Sequence, residues 1–222
     1  EVITTASEQN QQLRVVIVGH VDHGKSTLIG RLLYDTGSLP DSKLDEIKQM
    51  CDRRGTHALE WSYLLDAFQA ERDQAVTIDT TQIRFATDKR DYVIIDAPGH
   101  EQFLKNMVSG AAEADAAILV VDAKEGVQEQ TKRHAYLLQL LGMRQVAVMV
   151  NKMDTVDHDA QRFEKVARDV EQYLSSLGLS ALHIVPISAR SGEMIAGHSE
   201  AMSWYNGKTM VDVLDALESA EP

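Results

Sequence analysis

The apolar run Leu13 to Val18 ends on Gly19 and leads directly into His20-Val21-Asp22-His23-Gly24-Lys25-Ser26. A buried strand thus passes into a helix through a short turn with a glycine at each end. The glycines let the backbone wrap closely around an anion, and successive N–H groups and the next helix N-terminus point at it. Lys25 supplies a point charge for outer phosphates, and Ser26 offers a hydroxyl to Mg²⁺. This GxxxxGK[ST] spacing predicts a loop that cradles a nucleoside triphosphate. The competing reading is an ordinary glycine-rich turn, but the strand before and the helix after are the contexts that phosphate binding requires.

The base is read from a distant segment, Asn151-Lys152-Met153-Asp154, which follows the apolar strand Val146 to Val150. A carboxylate at Asp154 accepts two hydrogen bonds from the N1–H and N2–H₂ edge of guanine. Adenine would set an acceptor against it, and an unpaired buried acceptor costs roughly 1–3 kcal/mol. Asn151 is expected to tie this loop back to the phosphate loop, and the stem of Lys152 to cover one face of the base. The alternative is a polar cap between strand and helix. Ser188-Ala189-Arg190, after the strand His183 to Ile187, is where a third loop would close over the base through its backbone N–H groups.

Between these segments lie candidates that sense the third phosphate. Asp96-Ala97-Pro98-Gly99-His100 follows the strand Asp91 to Ile95, so Asp96 sits at a strand end near the metal and Gly99 can swing an N–H toward a γ-phosphate. His100 could then orient the attacking water; otherwise it is the N-terminal residue of a helix over Glu101 to Ala112. Thr77 precedes the strand Thr80 to Phe85 and follows a long helical insert. By itself Thr77 reads as a strand residue; its position gives it a switch reading, as a second Mg²⁺ ligand when triphosphate is bound.

Strands rich in β-branched residues alternate with helices of three-four apolar spacing. The expected helices are Lys25 to Tyr34, Glu101 to Ala112, Gln128 to Leu141, Asp159 to Leu177 and Met210 to Leu217. This predicts an α/β fold, a mostly parallel central sheet with helices on both faces, and the phosphate-loop and base-reading motifs placed at its strand ends make the expectation a P-loop NTPase G-domain. Residues 1–12 read as a flexible N-terminal segment and 13–222 as one GTPase domain. Residues at about 36–74 form a helical insertion next to switch I, and Trp204 and Tyr205 read as a packing anchor. The single cysteine, Cys51, excludes an intramolecular disulfide and a cysteine-built zinc site. It reads as an unpaired thiol on the insert helix. The longest apolar stretch, Ala116 to Val121, is far short of a membrane span, so no membrane partner and a cytoplasmic location are expected. A net charge of −12, with no cluster of Lys and Arg, argues against a nucleic-acid grip through this surface.

GHVDHGKS, VTID, DAPGH, NKMD and SAR stand in the order of the translation-factor class of GTPases, and the resemblance spans nearly the whole chain. Gly30 to Ile47, Pro98 to Asp115, Gly126 to Gly142 and Trp204 to Asp215 look most like the GTPase (large) subunit of ATP sulfurylase, a relative of elongation factor Tu, although the tRNA-carrying factors share much of them. The resemblance implies that Asp22, His23, Gly24, Lys25, Ser26 and Thr27 hold the phosphates. Ser26 and Thr77 would bind Mg²⁺, with Asp96 supporting the metal through water. His100 would be catalytic, together with Lys25 and Asp22, with Val21 and Val76 flanking its route. A monovalent cation such as K⁺ would sit near Asp22.

The function this implies is a GTP- and GDP-binding, GTP-hydrolysing switch that drives adenosine phosphosulfate synthesis. It would act as part of a nucleotidyltransferase, in a heterodimer with a small catalytic adenylyltransferase subunit. The alternative is an elongation factor that delivers aminoacyl-tRNA to the ribosome, the one case in which a nucleic-acid partner is expected. β-Barrel domains would follow in a full-length protein. Two residues depart from the family pattern. Ala75 stands where a glycine usually precedes the switch threonine, narrowing the backbone at a hinge. Lys208 stands where the family often has proline.

Overall fold

A computed structural model describes residues 12–20, 23–55, 81–96 and 114–219. Six strands form one sheet: β1 (Leu13–Gly19), β2 (Thr81–Ala86), β3 (Asp91–Asp96), β4 (Ala116–Asp122), β5 (Val146–Asn151) and β6 (Ala181–Pro186), in the order β2-β3-β1-β4-β5-β6. All neighbours run parallel except β2 and β3. That pair is joined by four residues, 87–90, too few for the crossover a parallel pair needs, so it closes as an antiparallel hairpin. The expected α/β architecture with a mostly parallel sheet is present.

The helices among the described residues are α1 (Lys25–Asp35), α2 (Asp41–Arg53), α3 (Glu129–Leu140), α4 (Ala160–Ser176) and α5 (Met210–Asp215). Four expected helices thus occur within a residue or two of their sequence-based limits; the fifth, Glu101 to Ala112, lies outside the described residues. Every residue of β4 and β5 is buried, as is every residue of β1 except Arg14. Burial without alternation means that both faces of the central strands are covered. Leu28, Ile29, Leu32 and Leu33 of α1, and Phe163, Val166, Val170 and Leu174 of α4, supply part of that cover at helical spacing.

Of the segment after α1 that the sequence suggested as an insertion, the described part includes α2, which buries Ile47 and Cys51 against the core. The thiol is therefore part of the packing, because Cys51 falls one helical turn from Ile47 on the same face. Trp204 and Tyr205 do anchor packing. Their rings lie 5.5 and 6.1 Å from that of Phe163 on α4.

Helix α5 ends at Asp215 rather than Leu217. The Asp215 carboxylate accepts hydrogen bonds from Tyr92 Oη (2.7 Å) and Thr87 Oγ1 (2.6 Å). Arg90 donates to the carbonyl of Leu217 (2.7 Å), so the carbonyls beyond the helix find side-chain donors in the β2–β3 hairpin. Burial and the neighbouring carboxylate raise the Tyr92 hydroxyl well above the usual phenol range.

Candidate functional site

The parallel strands bring their carboxyl ends to one edge of the sheet, the edge at which open α/β sheets bind ligands. Gly19 pairs with Val120, Ile17 with Asp96, and Asp122 with Asn151, so the segments after β1, β3, β4 and β5 start side by side. Gly19 is required by contact. A Cβ there would stand 3.0 Å from both Cβ and O of Val120.

The phosphate-loop glycine is required by conformation as well. Gly24 has φ +83°, and a Cβ on it would lie 2.6 Å from Nδ2 of Asn151. That amide uses the space a side chain would fill: Nδ2 donates to the carbonyl of His23 (2.8 Å), and Oδ1 accepts from the backbone N–H of Ala189 (3.0 Å). Asn151 is 2% exposed and joins three loops through one side chain. Its expected tie to the phosphate loop is present in the geometry, and the bond to Ala189 extends it to the third loop.

Lys152 has φ +64° and starts a 3-10 turn, Met153–Val156. Its ammonium lies 3.3 Å from Oδ2 of Asp122 at the end of β4, and its Cε would be 3.6 Å from a Cβ on Gly24. The Lys152 stem therefore runs along the phosphate loop. Asp154, in the turn, accepts a hydrogen bond at Oδ1 from Oγ of the fully buried Ser188 (2.9 Å). Ser188 thus acts through its side chain, beyond the backbone role the sequence suggested. Together Gly24, Thr27, Asn151, Lys152, Asp154, Thr155, Ala189 and Arg190 line a cavity of about 300 Å³.

Lys25 is buried at the start of α1, and Ser26 and Thr27 are partly exposed beside it. The imidazole of His23 does not line the cavity: it is 1% exposed, with Nε2 3.2 Å from Oε2 of Glu125. What His23 gives the assembly is its carbonyl. Asp22, Thr77, Gly99 and His100, along with Val21, Val76 and Ala75, lie outside the described residues. Asp96 is placed by its backbone as the last residue of β3.

Several residues of this region carried no recognised signal in the sequence. Asp122 pairs with Lys152 and also accepts at Oδ1 from the N–H groups of Lys124 (2.7 Å) and Glu125 (3.1 Å). The one usable hint was its place as the charged end of an otherwise apolar strand. Thr155 in the cavity, and His158 and Glu193 behind it, had none.

The cavity therefore joins a left-handed glycine before a helix that begins Lys-Ser with a fixed carboxylate at a second strand end. Residues 10–222 match the family model described as the Elongation factor Tu GTP binding domain. The chain belongs to that family. Elongation factor 1-alpha of Pyrococcus furiosus is 44% identical over 209 residues, covering 94% of this chain and 48% of that protein. Elongation factor 1-alpha of Thermoplasma acidophilum is 42% identical over 219 residues, covering 97% and 52%. The chain spans about half the length of these curated relatives. Structures of sup35 with GDP and with GMPPNP superpose at a TM-score of 0.67 and 24% identity, covering 93% and 96% of this chain and 45% and 46% of those chains. They share the fold.

These relatives correct the expected pathway. The GTP-binding domain matches proteins named elongation factor 1-alpha, so the reading as a sulfate-activating GTPase subunit is overturned. The nucleotidyltransferase role and the small adenylyltransferase partner lose their basis with it. The stretches that had suggested sulfurylase all fall within residues 10–222, the matched GTP-binding domain, and they specify this scaffold rather than its client reaction. Among the described residues, no helix is long and apolar enough to cross a membrane.

Proposed function

We propose that this chain is the GTP-hydrolysing switch domain of a translation elongation factor, which in full-length form delivers aminoacyl-tRNA to the ribosome. The observation that carries the nucleotide reading is the Asp154 carboxylate, fixed by Ser188 beside a cavity whose opposite wall is the phosphate loop. The elongation factor 1-alpha relatives support the translation role.

In this reading Asp154 accepts from N1–H and N2–H₂ of guanine, while the Lys152 stem lies along one face of the base. The Ser188-Ala189-Arg190 loop closes the third side with the N–H of Arg190, while that of Ala189 is held by Asn151 Oδ1. Gly24 lets the loop curl so that its N–H groups face the phosphates, and Lys25 offsets their charge. The left-handed cradle and the hydroxyl of Ser26 at the helix start fit a magnesium-bound triphosphate. Ser26 and Thr77 would hold Mg²⁺, with Asp96 behind it through water; when bound, the ion neutralises charge on the outer phosphates. A K⁺ near Asp22 would add to that neutralisation.

His100 orients a water for in-line attack on the γ-phosphorus. The bond to the β–γ bridging oxygen breaks, and GDP and phosphate leave. Catalysis of this kind is mostly positioning and electrostatics. Loss of the γ-phosphate then frees Thr77 and Gly99 and relaxes both switch segments. With a net charge of −12, the GTPase domain offers little to RNA phosphates, so the tRNA grip in this reading falls largely on parts of the protein outside residues 1–222.

Calorimetry with guanosine and adenosine diphosphates in Mg²⁺ buffer tests the nucleotide reading. Heat with the guanosine nucleotide alone is expected, and equal binding of both removes the base assignment. A full-length protein that retains no aminoacyl-tRNA in its GTP form would remove the carrier role.

A further inference from the structure

Behind the cavity the two base-proximal loops are clasped by a pair that does not touch its interior. His158 Nε2 lies 2.6 Å from Oε2 of Glu193, with both side chains about a quarter exposed. Each partner sits beside strained backbone. Asp157 and His158 are both left-handed, at φ +55° and +54°, and Met194, next to Glu193, is at φ +60°. Side chains other than glycine persist in this region only where the surroundings over-determine them. Here they do: Trp204 Nε1 donates to the carbonyl of His158 (3.0 Å), and Met194 is fully buried.

The clasp closes a ring. Asp154 accepts from Ser188 (2.9 Å), Ser188 pairs with Glu193 through both backbone N–H groups (3.0 and 3.2 Å), Glu193 meets His158, and the N–H of His158 donates to Met153 (2.9 Å). The Asp154 carboxylate is thus one member of a closed chain of contacts. The four-residue turn that carries it is also held at Met153, which is fully buried and donates its N–H to the Ile187 carbonyl (3.1 Å), and at Thr155, whose hydroxyl donates to the Lys152 carbonyl (2.7 Å); the ring adds the tie at the Asp154 side chain itself. From the other side, Gly192 packs flat on the Arg31 guanidinium of α1, where a Cβ would overlap it.

We propose that His158 and Glu193 are a positioning pair for base recognition: by locking the Ser188–Glu193 loop against the 3-10 turn, they hold Asp154 at the angle at which it accepts two hydrogen bonds from guanine. The inference rests on the guanine-binding reading and deepens it. Specificity in this view is set partly by a contact outside the cavity. A small rotation of Asp154 would cost the outer of the two bonds first, the one to N2–H₂.

The test compares dissociation constants for GDP and IDP, because inosine keeps N1–H and lacks the 2-amino group. Glu193→Ala and His158→Phe, which removes the donor but keeps a ring, are each expected to shrink the GDP preference by about threefold to tenfold, the scale of one weakened hydrogen bond. Glu193→Gln and His158→Gln keep an acceptor and a donor and should restore it. Tyr92→Phe, which loses its bond to Asp215 at the far hairpin, should lower stability and leave the GDP-to-IDP ratio unchanged. If the ratio is intact in both Glu193→Ala and His158→Phe, or falls equally in Tyr92→Phe, the positioning role is overturned while guanine binding stands. If the unmodified domain shows no preference for GDP over IDP, the role of Asp154 and this inference fall together.

Discussion

Replacing Asn151 by alanine should be the most damaging single change among the described site residues. Its amide is 2% exposed and makes two bonds that nothing else can make: Nδ2 to the His23 carbonyl at 2.8 Å and the Ala189 N–H to Oδ1 at 3.0 Å. Removing it leaves a buried carbonyl and a buried N–H without partners, at about 1–3 kcal/mol each, so about 2–6 kcal/mol for the pair. Part of this appears as stability and part as binding, because a nucleotide spanning the loops would reorder them. Urea unfolding should show a lower midpoint at unchanged slope, worth about 1 kcal/mol or more, and GDP affinity should fall about fivefold or more. Asn151→Asp keeps the acceptor for Ala189 and loses the donor to His23, so it isolates the phosphate-loop half of the tie. The reasoning is refuted if Asn151→Ala unfolds within about 0.5 kcal/mol of the unmodified domain and binds GDP as tightly.

Gly24→Ala should fold but lose nucleotide affinity, since the left-handed backbone at φ +83° costs an alanine about 1–2 kcal/mol and its Cβ would stand 2.6 Å from Asn151 Nδ2; unchanged GDP binding by calorimetry would contradict the cradle. His100→Ala should retain GDP affinity and slow single-turnover GTP hydrolysis by about a hundredfold, the scale of a lost acid–base or orienting group, and an unchanged rate would take His100 out of the chemistry. Burial pushes the Tyr205 hydroxyl up to about 12 from its ordinary 10.0. The unfolded chain therefore gives up this proton first. The resulting stability is complete below pH 10 and declines as pH rises toward about 12. Tyrosinate absorbance of the folded domain, compared with Tyr205→Phe, should show this ring ionising late; ionisation near pH 10 would contradict its burial.

The parts that were legible in the chain are short and contiguous. A strand, a glycine and a Lys-Ser pair announce a phosphate loop because one stretch of backbone makes all of it, and NKMD and SAR each occupy one turn at a strand end. The parts that were not legible are pairs. Asp122 with Lys152, His158 with Glu193, and Tyr92 with Asp215 lie 30, 35 and 123 positions apart. Burial periodicity says which face of an element turns inward, but not which partner on another element it meets. The pathway was misread for a related reason. The segments that suggested sulfate activation build a scaffold common to several GTPases, and a scaffold does not name its client.

Cys51 is the chain's sole thiol, and its place on the buried face of α2, 3% exposed beside Ile47, turns it into a built-in clock. A thiol reagent reaches that sulfur only in the moments when α2 lifts from the core. The labelling rate, divided by that of an unfolded cysteine peptide, gives the free energy of that lifting with no engineered probe. Followed with and without nucleotide, the same number reports how firmly the occupied cavity holds the insert in place.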